Sequence, residues 1–277
     1  MIPVPSPEVL VEALASTRAA AAAYHTNLFL NLDQIAGWFA EGGLAWMRGP
    51  GAVLVRQREA GLDRLFHAAT CPGALAEALA RLPEPPRTQP WVSDLVGRPE
   101  ALTDVAGIYA ACGFRHHRSL LRMIRVGTPL PAPPDPSVCD EALPGQADAV
   151  VAMLRRLLDP LAERIPSPRE VARWAADGEM LTVRRGDTLA GMLAYHVQGR
   201  SAHLRYWHVD PRFRGGGAGS ALLRTFLDRT RGCTRQTLWV LAHNADSIAK
   251  YAHYGFHMDP AVDMIMVKGA AGPGGIA

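Results

Sequence analysis

The segment Val209-Asp210-Pro211-Arg212-Phe213-Arg214-Gly215-Gly216-Gly217-Ala218-Gly219-Ser220-Ala221-Leu222-Leu223 concentrates the residue types that bind phosphate. An apolar stretch with the pattern of a strand precedes it, and an amphipathic stretch with the pattern of a helix follows. The first N–H groups of a helix lack intrahelical acceptors and lie at the positive end of its dipole. Glycines let a diphosphate approach those groups without meeting Cβ atoms, and Arg212 and Arg214 add positive charge at the same place. A flexible turn with no ligand would also use glycines, so the pattern alone leaves two readings. Two other phosphate motifs are excluded. No Lys-Ser/Thr pair follows the glycines, as a P-loop needs, and Ser220 stands where a dinucleotide fingerprint has its third glycine.

The elements that must hold this turn follow from periodicity. Gln146 to Leu158 has helical spacing, and Ser167 is an N-cap candidate for a helix running to about Ala176. Met180 to Val183, Thr188 to Val197 and Ala202 to Val209 read as strands, separated by the turn signals Gly186-Asp187 and Gly199-Arg200. They describe an antiparallel meander. A helix from about Gly217 to Thr230, a strand Gln236 to Ala242, a helix Asp246 to Tyr254 and a strand Met264 to Lys268 complete this half.

The N-terminal half reads in a similar order, with helices in Pro7 to Ala23 and Asp33 to Ala40. Strands follow near Leu44 to Met47, Ala52 to Arg56 and Asp63 to Ala69, then a helix at Gly73 to Leu82, a strand near Pro90 to Leu95, a helix at Glu100 to Cys112 and a strand Ser119 to Val126. Tyr109-Ala110-x-x-Gly113-Phe114 recurs as Tyr251-Ala252-x-x-Gly255-Phe256, and each copy precedes a strand containing Met-Ile-x-Val. Together with the common element order, this points to duplication. Prolines at 129, 131, 133, 134 and 136 mark a semi-rigid connector between the halves. The expected domains are therefore 1–127 and 144–269, joined by 128–143 and followed by a flexible tail, 270–277.

Composition sets the outer bounds. The chain has 277 residues, long enough for two domains, and its 48% apolar and 20% charged residues suit a globular protein. A formal charge of +3 and the lack of Lys/Arg-rich blocks argue against nucleic acid. No apolar run reaches the roughly 18 residues of a membrane span, and no secretory signal pattern is seen at the N-terminus, so a cytoplasmic location is expected. Cys71, Cys112, Cys139 and Cys233 stand singly, without the pairing of a zinc site, and no metal is expected.

The glycine segment resembles the cofactor motif of the GNAT acyltransferase superfamily, Arg/Gln-x-x-Gly-x-Gly/Ala, matched by Arg214, Gly217 and Gly219. About 30 residues further on, Asn244, Tyr251, Gly255 and Phe256 resemble that family's Asn-x(6)-Tyr-x(3)-Gly-Phe pattern. The resemblance covers roughly Pro144 to Gly269, and the N-terminal half only through Tyr109, Gly113 and Phe114. It implies an α+β fold of two GNAT-like domains, each a mixed, mostly antiparallel central sheet flanked by helices. Thr70-Cys71-Pro72-Gly73 lacks the arginine and the glycine spacing, and Leu102 stands where the Asn should be. The first copy is thus expected to be degenerate, shaping the substrate cleft or simply supporting its neighbour.

The resemblance also implies a reaction and the residues for it. Acetyl-CoA or another acyl-CoA would bind through Arg212, Arg214 and the main chain of Gly215, Gly216, Gly217, Ala218, Gly219 and Ser220. Its pantetheine arm would pair with Trp207, His208 and Val209, where two strands diverge and an N–H meets the thioester oxygen. Tyr251 corresponds to the family tyrosine that protonates the departing sulfur, or else only packs its helix on the sheet. Asn244 would contact pantetheine or cap the next helix. Some members place a glutamate base eleven residues before the Arg/Gln, and here that position is His203. His203 and His208 are both base candidates. Strict alternation puts His203, Arg205, Trp207 and Val209 on one face and Tyr206, His208 and Asp210 on the other, so both histidines reach one side only across a bulge. The expected activity is N-acylation, with acetyl transfer as the expected form, by direct attack of a small-molecule or peptide amine. The other reading is a non-catalytic coenzyme A-binding sensor or assembly module.

Overall fold

The computed structural model describes residues 1–29, 32–127 and 139–269. Most of the expected proline-rich connector, and all of the expected tail 270–277, lie outside the described residues. In chain order the first half contains β1 (Ile2–Pro3), α1 (Pro7–Ala19), β2 (His25–Thr26), α2 (Leu32–Glu41), β3 (Leu44–Gly49), β4 (Ala52–Glu59), β5 (Leu62–Ala69), α3 (Pro72–Ala80), β6 (Trp91–Gly97), α4 (Pro99–Ala111) and β7 (Arg115–Val126). The second half contains β8 (Asp140–Glu141), α5 (Ala147–Leu157), α6 (Pro168–Ala176), β9 (Met180–Arg185), β10 (Thr188–Gln198), β11 (Ser201–Val209), α7 (Ala218–Arg229), β12 (Arg235–Leu241), α8 (Ala245–His253) and β13 (His257–Lys268).

Two compact units form, but not by cutting at the prolines. The first comprises the described residues of Met1–Ser119 and Ala261–Ala277, the second those of Leu120–Pro260. In the first, strands run in the order β1-β3-β4-β5-β6 and the sheet ends on β13, whose residues Val262 to Lys268 pair antiparallel with Gly97 to Trp91. In the second the order is β8-β9-β10-β11-β12, and the sheet ends on β7, whose residues Leu120 to Val126 pair antiparallel with Leu241 to Arg235. Each unit thus takes its last strand from the other half of the sequence. Pairing, rather than the proline-rich stretch, sets the units, and the expected 1–127 and 144–269 divide them differently. Within each sheet the neighbours are antiparallel except one parallel pair, β5 with β6 and β11 with β12. Each unit is a mixed, mostly antiparallel sheet flanked by helices.

In the second unit, alternation along the strands feeds two cores. Leu193 and Tyr195 face α7, which buries Leu222, Leu223, Phe226 and Leu227 at helical spacing against Leu204 and Leu238. Met192 and Ala194 face α5 and α6 and meet Val150, Leu154, Val171 and Trp174. Ser167 caps α6 as expected, accepting from Glu170 N at 3.3 Å while the Glu170 carboxylate accepts from Ser167 N at 2.9 Å. Arg164 adds a two-bonded ion pair to Glu170 at 2.8 and 3.0 Å, fixing the loop between α5 and α6. No described helix is long and apolar enough to cross a membrane.

Because α7 is held to the sheet by these apolar contacts, Leu223→Ala should destabilise the protein by about 2–5 kcal/mol. The check is the midpoint of urea unfolding, and an unchanged midpoint contradicts this packing.

Candidate functional site

The parallel strands β11 and β12 are paired only from Ser201 to Leu204, opposite Arg235 to Leu238. Both continue beyond, to Val209 and Leu241, without a shared ladder. They diverge after Leu204 and Leu238. The other edge of β11 stays paired with β10 as far as Val209, so the gap opens on one side alone.

At the end of β11, Asp210 begins the turn into α7. Its carboxylate is buried, accepts from Arg212 N at 3.0 Å, and pairs with the Arg212 guanidinium at 3.1 and 2.9 Å and with Arg156 at 3.3 Å. The hydrogen bonds from Arg212 hold it well below the usual carboxylate range. Arg212, expected on the anion, is instead tied into the turn. Arg214 is exposed with no such pairing among the described residues, and Arg185 of β9 reaches the turn, 3.3 Å from Gly216 O. Sequence reading missed Arg185 because β9 meets the turn only in three dimensions. Gly215 and Gly217 have φ of +81° and +80°, a region that costs other residues about 1–2 kcal/mol. The first helical hydrogen bond is Ala221 N to Gly217 O at 2.9 Å. The amides of Gly215, Gly216, Gly217, Ala218, Gly219 and Ser220 find no acceptor among the described residues, and apart from Ala218 and Gly219 these positions are exposed.

A bulge in β11 resolves the histidine problem. Ala194 pairs with Tyr206 and Tyr195 with Leu204, leaving Arg205 as the extra residue. The parity of the strand therefore changes: Ala202, Leu204, Trp207 and Val209 share the α7 core, while Tyr206 packs with the α5/α6 core. His203, bonded to Thr237 of β12 at 3.0 Å, lies on the side of Tyr206 and His208. Both histidines are partly buried. Burial, and then the charges of Arg205 and His196, push His203 down to about 4, and burial, then Arg214, does the same to His208. Each is neutral at pH 7 and a weak base.

Tyr251 is only 6% exposed, in the core beneath α7, with its ring 5.1 Å from that of Trp207. Its hydroxyl has no hydrogen-bond partner among the described residues. Burial, and then the charge of Glu163, raise its pKa. The Trp207 indole N–H donates to Gly219 O at 3.0 Å, tying β11 to the first turn of α7. Asn244 caps α8, its Oδ1 accepting from Ser247 N at 3.1 Å. Among the described residues, no group of His, Cys, Asp and Glu could hold a metal ion.

The first unit has the same divergence and closes it. β5 and β6 pair only at Asp63–Arg64 opposite Trp91–Val92. Beyond, the Asn27 amide bridges them: Nδ2 lies 3.3 Å from Leu65 O, 3.0 Å from Ser93 Oγ and 3.0 Å from Asp94 O, and Oδ1 accepts from His67 N at 2.6 Å. β2, just before Asn27, pairs with Ala68 and Ala69 of β5. The Tyr109 hydroxyl, fully buried, sits 2.9 Å from His67 Nδ1 and 3.0 Å from Ser93 Oγ. The turn into α3 offers no row of amides, since Thr70 N donates to Gly51 O at 2.8 Å and Pro72 has none.

Residues 151–256, inside the second unit, match the model of the Acetyltransferase (GNAT) family. The chain as a whole has the tandem GNAT fold. It resembles a tandem GNAT protein from the clavulanic acid biosynthesis pathway, in a structure without AcCoA, at 14% identity over 98% of each chain with a TM-score of 0.58. A GCN5-related N-acetyltransferase from Sphaerobacter thermophilus aligns at 16% identity over 97% of this chain and 95% of that one, TM-score 0.57. One from Kribbella flavida aligns at 15% identity over 94% and 96%, TM-score 0.54. No curated protein matches the sequence.

The histidine shifts have a sign that can be read. Because His203 and His208 fall from 6.5 to about 4, the unfolded chain binds more protons between those values. Their neutral burial is without penalty above pH 6.5, and stability declines as pH falls to about 4. His208→Asn should show a smaller drop in thermal midpoint across that window than the wild type; an equal drop, or an NMR titration of His208 centred near 6.5, contradicts the burial argument.

Proposed function

We propose that the second unit transfers an acyl group, acetyl in the simplest case, from acyl-CoA to a primary amine by direct attack within a ternary complex. The observation that carries this reading is the row of acceptorless amides from Gly215 to Ser220, set beside the open edge of β11. Those amides and Arg214, helped by Arg185, hold the diphosphate. The main chain of Trp207, His208 and Val209 accompanies the pantetheine arm and offers an N–H to the thioester oxygen as it becomes an oxyanion. Asn244, whose Oδ1 is engaged in the cap, keeps its Nδ2 for the same arm. The amine nitrogen attacks the thioester carbon, the C–N bond forms, and the C–S bond breaks. Tyr251 donates its proton to the leaving sulfur; a tyrosine buried beside the gap with an unpaired hydroxyl suits a donor that must stay protonated until then. That hydroxyl favours an enzyme over a sensor, because a purely structural tyrosine is bonded as Tyr109 is. The first unit, its gap filled by Asn27, supports the fold and holds no acyl carrier.

Calorimetric titration with acetyl-CoA should give one site per chain. Gly217→Glu, whose Cβ meets nothing within 4 Å but whose φ of +80° costs about 1–2 kcal/mol, should keep its circular dichroism yet lose acetyl-CoA affinity by roughly tenfold or more, about 1.4 kcal/mol. Tyr251→Phe should bind acetyl-CoA normally and release thiol at a kcat lower by roughly 10²–10⁴-fold with an amine acceptor. Two sites per chain, or full binding in folded Gly217→Glu, would move the site elsewhere.

A further inference from the structure

Acyl transfer from a thioester needs a neutral amine, and most primary amines arrive as ammonium ions. The histidines expected to take that proton are held neutral by burial and are poor acceptors at pH 7. A different group stands close by. The loop between α5 and α6 lies against the face of β11 that carries Tyr206 and His208, because the Tyr206 hydroxyl donates to Arg164 O at 2.6 Å. Arg164 turns its guanidinium away, onto Glu170 of α6. The residue before it, Glu163, is partly buried and its backbone N donates to Asp159 O at 2.8 Å, so its position in the loop is fixed. No cation pairs with its carboxylate among the described residues. Its charge is felt at Tyr251, the residue placed against the leaving sulfur.

We propose that the Glu163 carboxylate is the catalytic base that takes the proton from the acceptor ammonium. This deepens the acyl-transfer reading above and rests on it. The charged and titratable groups that act on Glu163 or on the loop that carries it are Asp159 on the same loop, Arg164 paired with Glu170 of α6, Tyr206 of β11 bonded to Arg164 O, and Tyr251 on α8, which feels the Glu163 charge. Burial pushes the Glu163 carboxyl up to about 7, opposed by a hydrogen bond from the Asp159 backbone and reinforced by the Asp159 charge. Such a group is ionised half the time near neutral pH and strong enough to accept a proton there. The protons balance. The first ammonium proton goes to Glu163 and then to solvent. The second leaves nitrogen as the tetrahedral adduct collapses and replaces, through solvent, the one Tyr251 gave to sulfur. The negative charge of an ionised Glu163 also attracts a cationic amine.

The test compares wild type, Glu163→Gln and Glu163→Asp. Acetyl-CoA affinity should be equal in all three; its loss in the wild type itself would count against acyl transfer rather than against Glu163. With an amine panel, wild-type kcat/KM should rise with pH through about 7. Glu163→Gln should lose roughly 10²–10⁴-fold in kcat and lose that limb, and Glu163→Asp should recover part of both. Independently of any acceptor, infrared titration of the wild type should show a carboxyl band with a midpoint near 7 that is absent from Glu163→Gln. Unchanged kinetics in Glu163→Gln, or no such band in the wild type, overturns the proposal.

Discussion

When two parallel strands diverge inside a sheet, the main-chain groups along the parted edges lose the partners a ladder would supply. A buried N–H or C=O left that way costs about 1–3 kcal/mol, so some other group must be found for it. Both units of this protein contain the same divergence, after Leu204 in one and after Arg64 in the other. What fills the gap decides what each unit can do.

In the first unit the chain fills it from within. Asn27 supplies donor and acceptor to Leu65, His67, Ser93 and Asp94, and Tyr109 closes the network through His67 and Ser93. In the second unit no residue plays the part of Asn27 among the described residues, and the hydroxyl of Tyr251, the tyrosine at the corresponding place, has no hydrogen-bond partner among them. The turns differ in the same sense: six successive amides that find no acceptor among the described residues follow Arg214, whereas the turn after β5 uses Thr70 N internally and begins its helix on Pro72. Gap, turn and tyrosine are kept open together in one copy and closed together in the other. A fold that had merely drifted would have no reason to coordinate the three.

Much of this was legible in the sequence because it is local. The glycine turn, the Ser167 cap and the strand and helix order follow from residues within a few positions of one another. The pairing of Arg212 with Asp210 is equally local, two residues apart, and a reading of the turn as a hydrogen-bonded Asx unit would have found it. Other features depend on distance. The bulge at Arg205 is defined only against β10, and Asn27 meets partners 38 to 67 residues away. The exchange of β7 and β13 was hidden for a different reason: the two Met-Ile-x-Val strands are near copies, so either could complete either sheet by pattern alone. Glu163 carries no motif, and the upward shift of its carboxyl comes from burial.

The central claim is that the second unit's parted strands and free amides are held for an acyl carrier while the first unit's are already satisfied. The most direct measurement is a crystal structure with acetyl-CoA bound. The account predicts diphosphate oxygens within hydrogen-bond distance of amides between Gly215 and Ser220, the pantetheine arm along Trp207 to Val209, and Asn27 undisturbed between β5 and β6. Acetyl-CoA found between β5 and β6 with Asn27 displaced, and the amides after Arg214 facing only solvent, would contradict it.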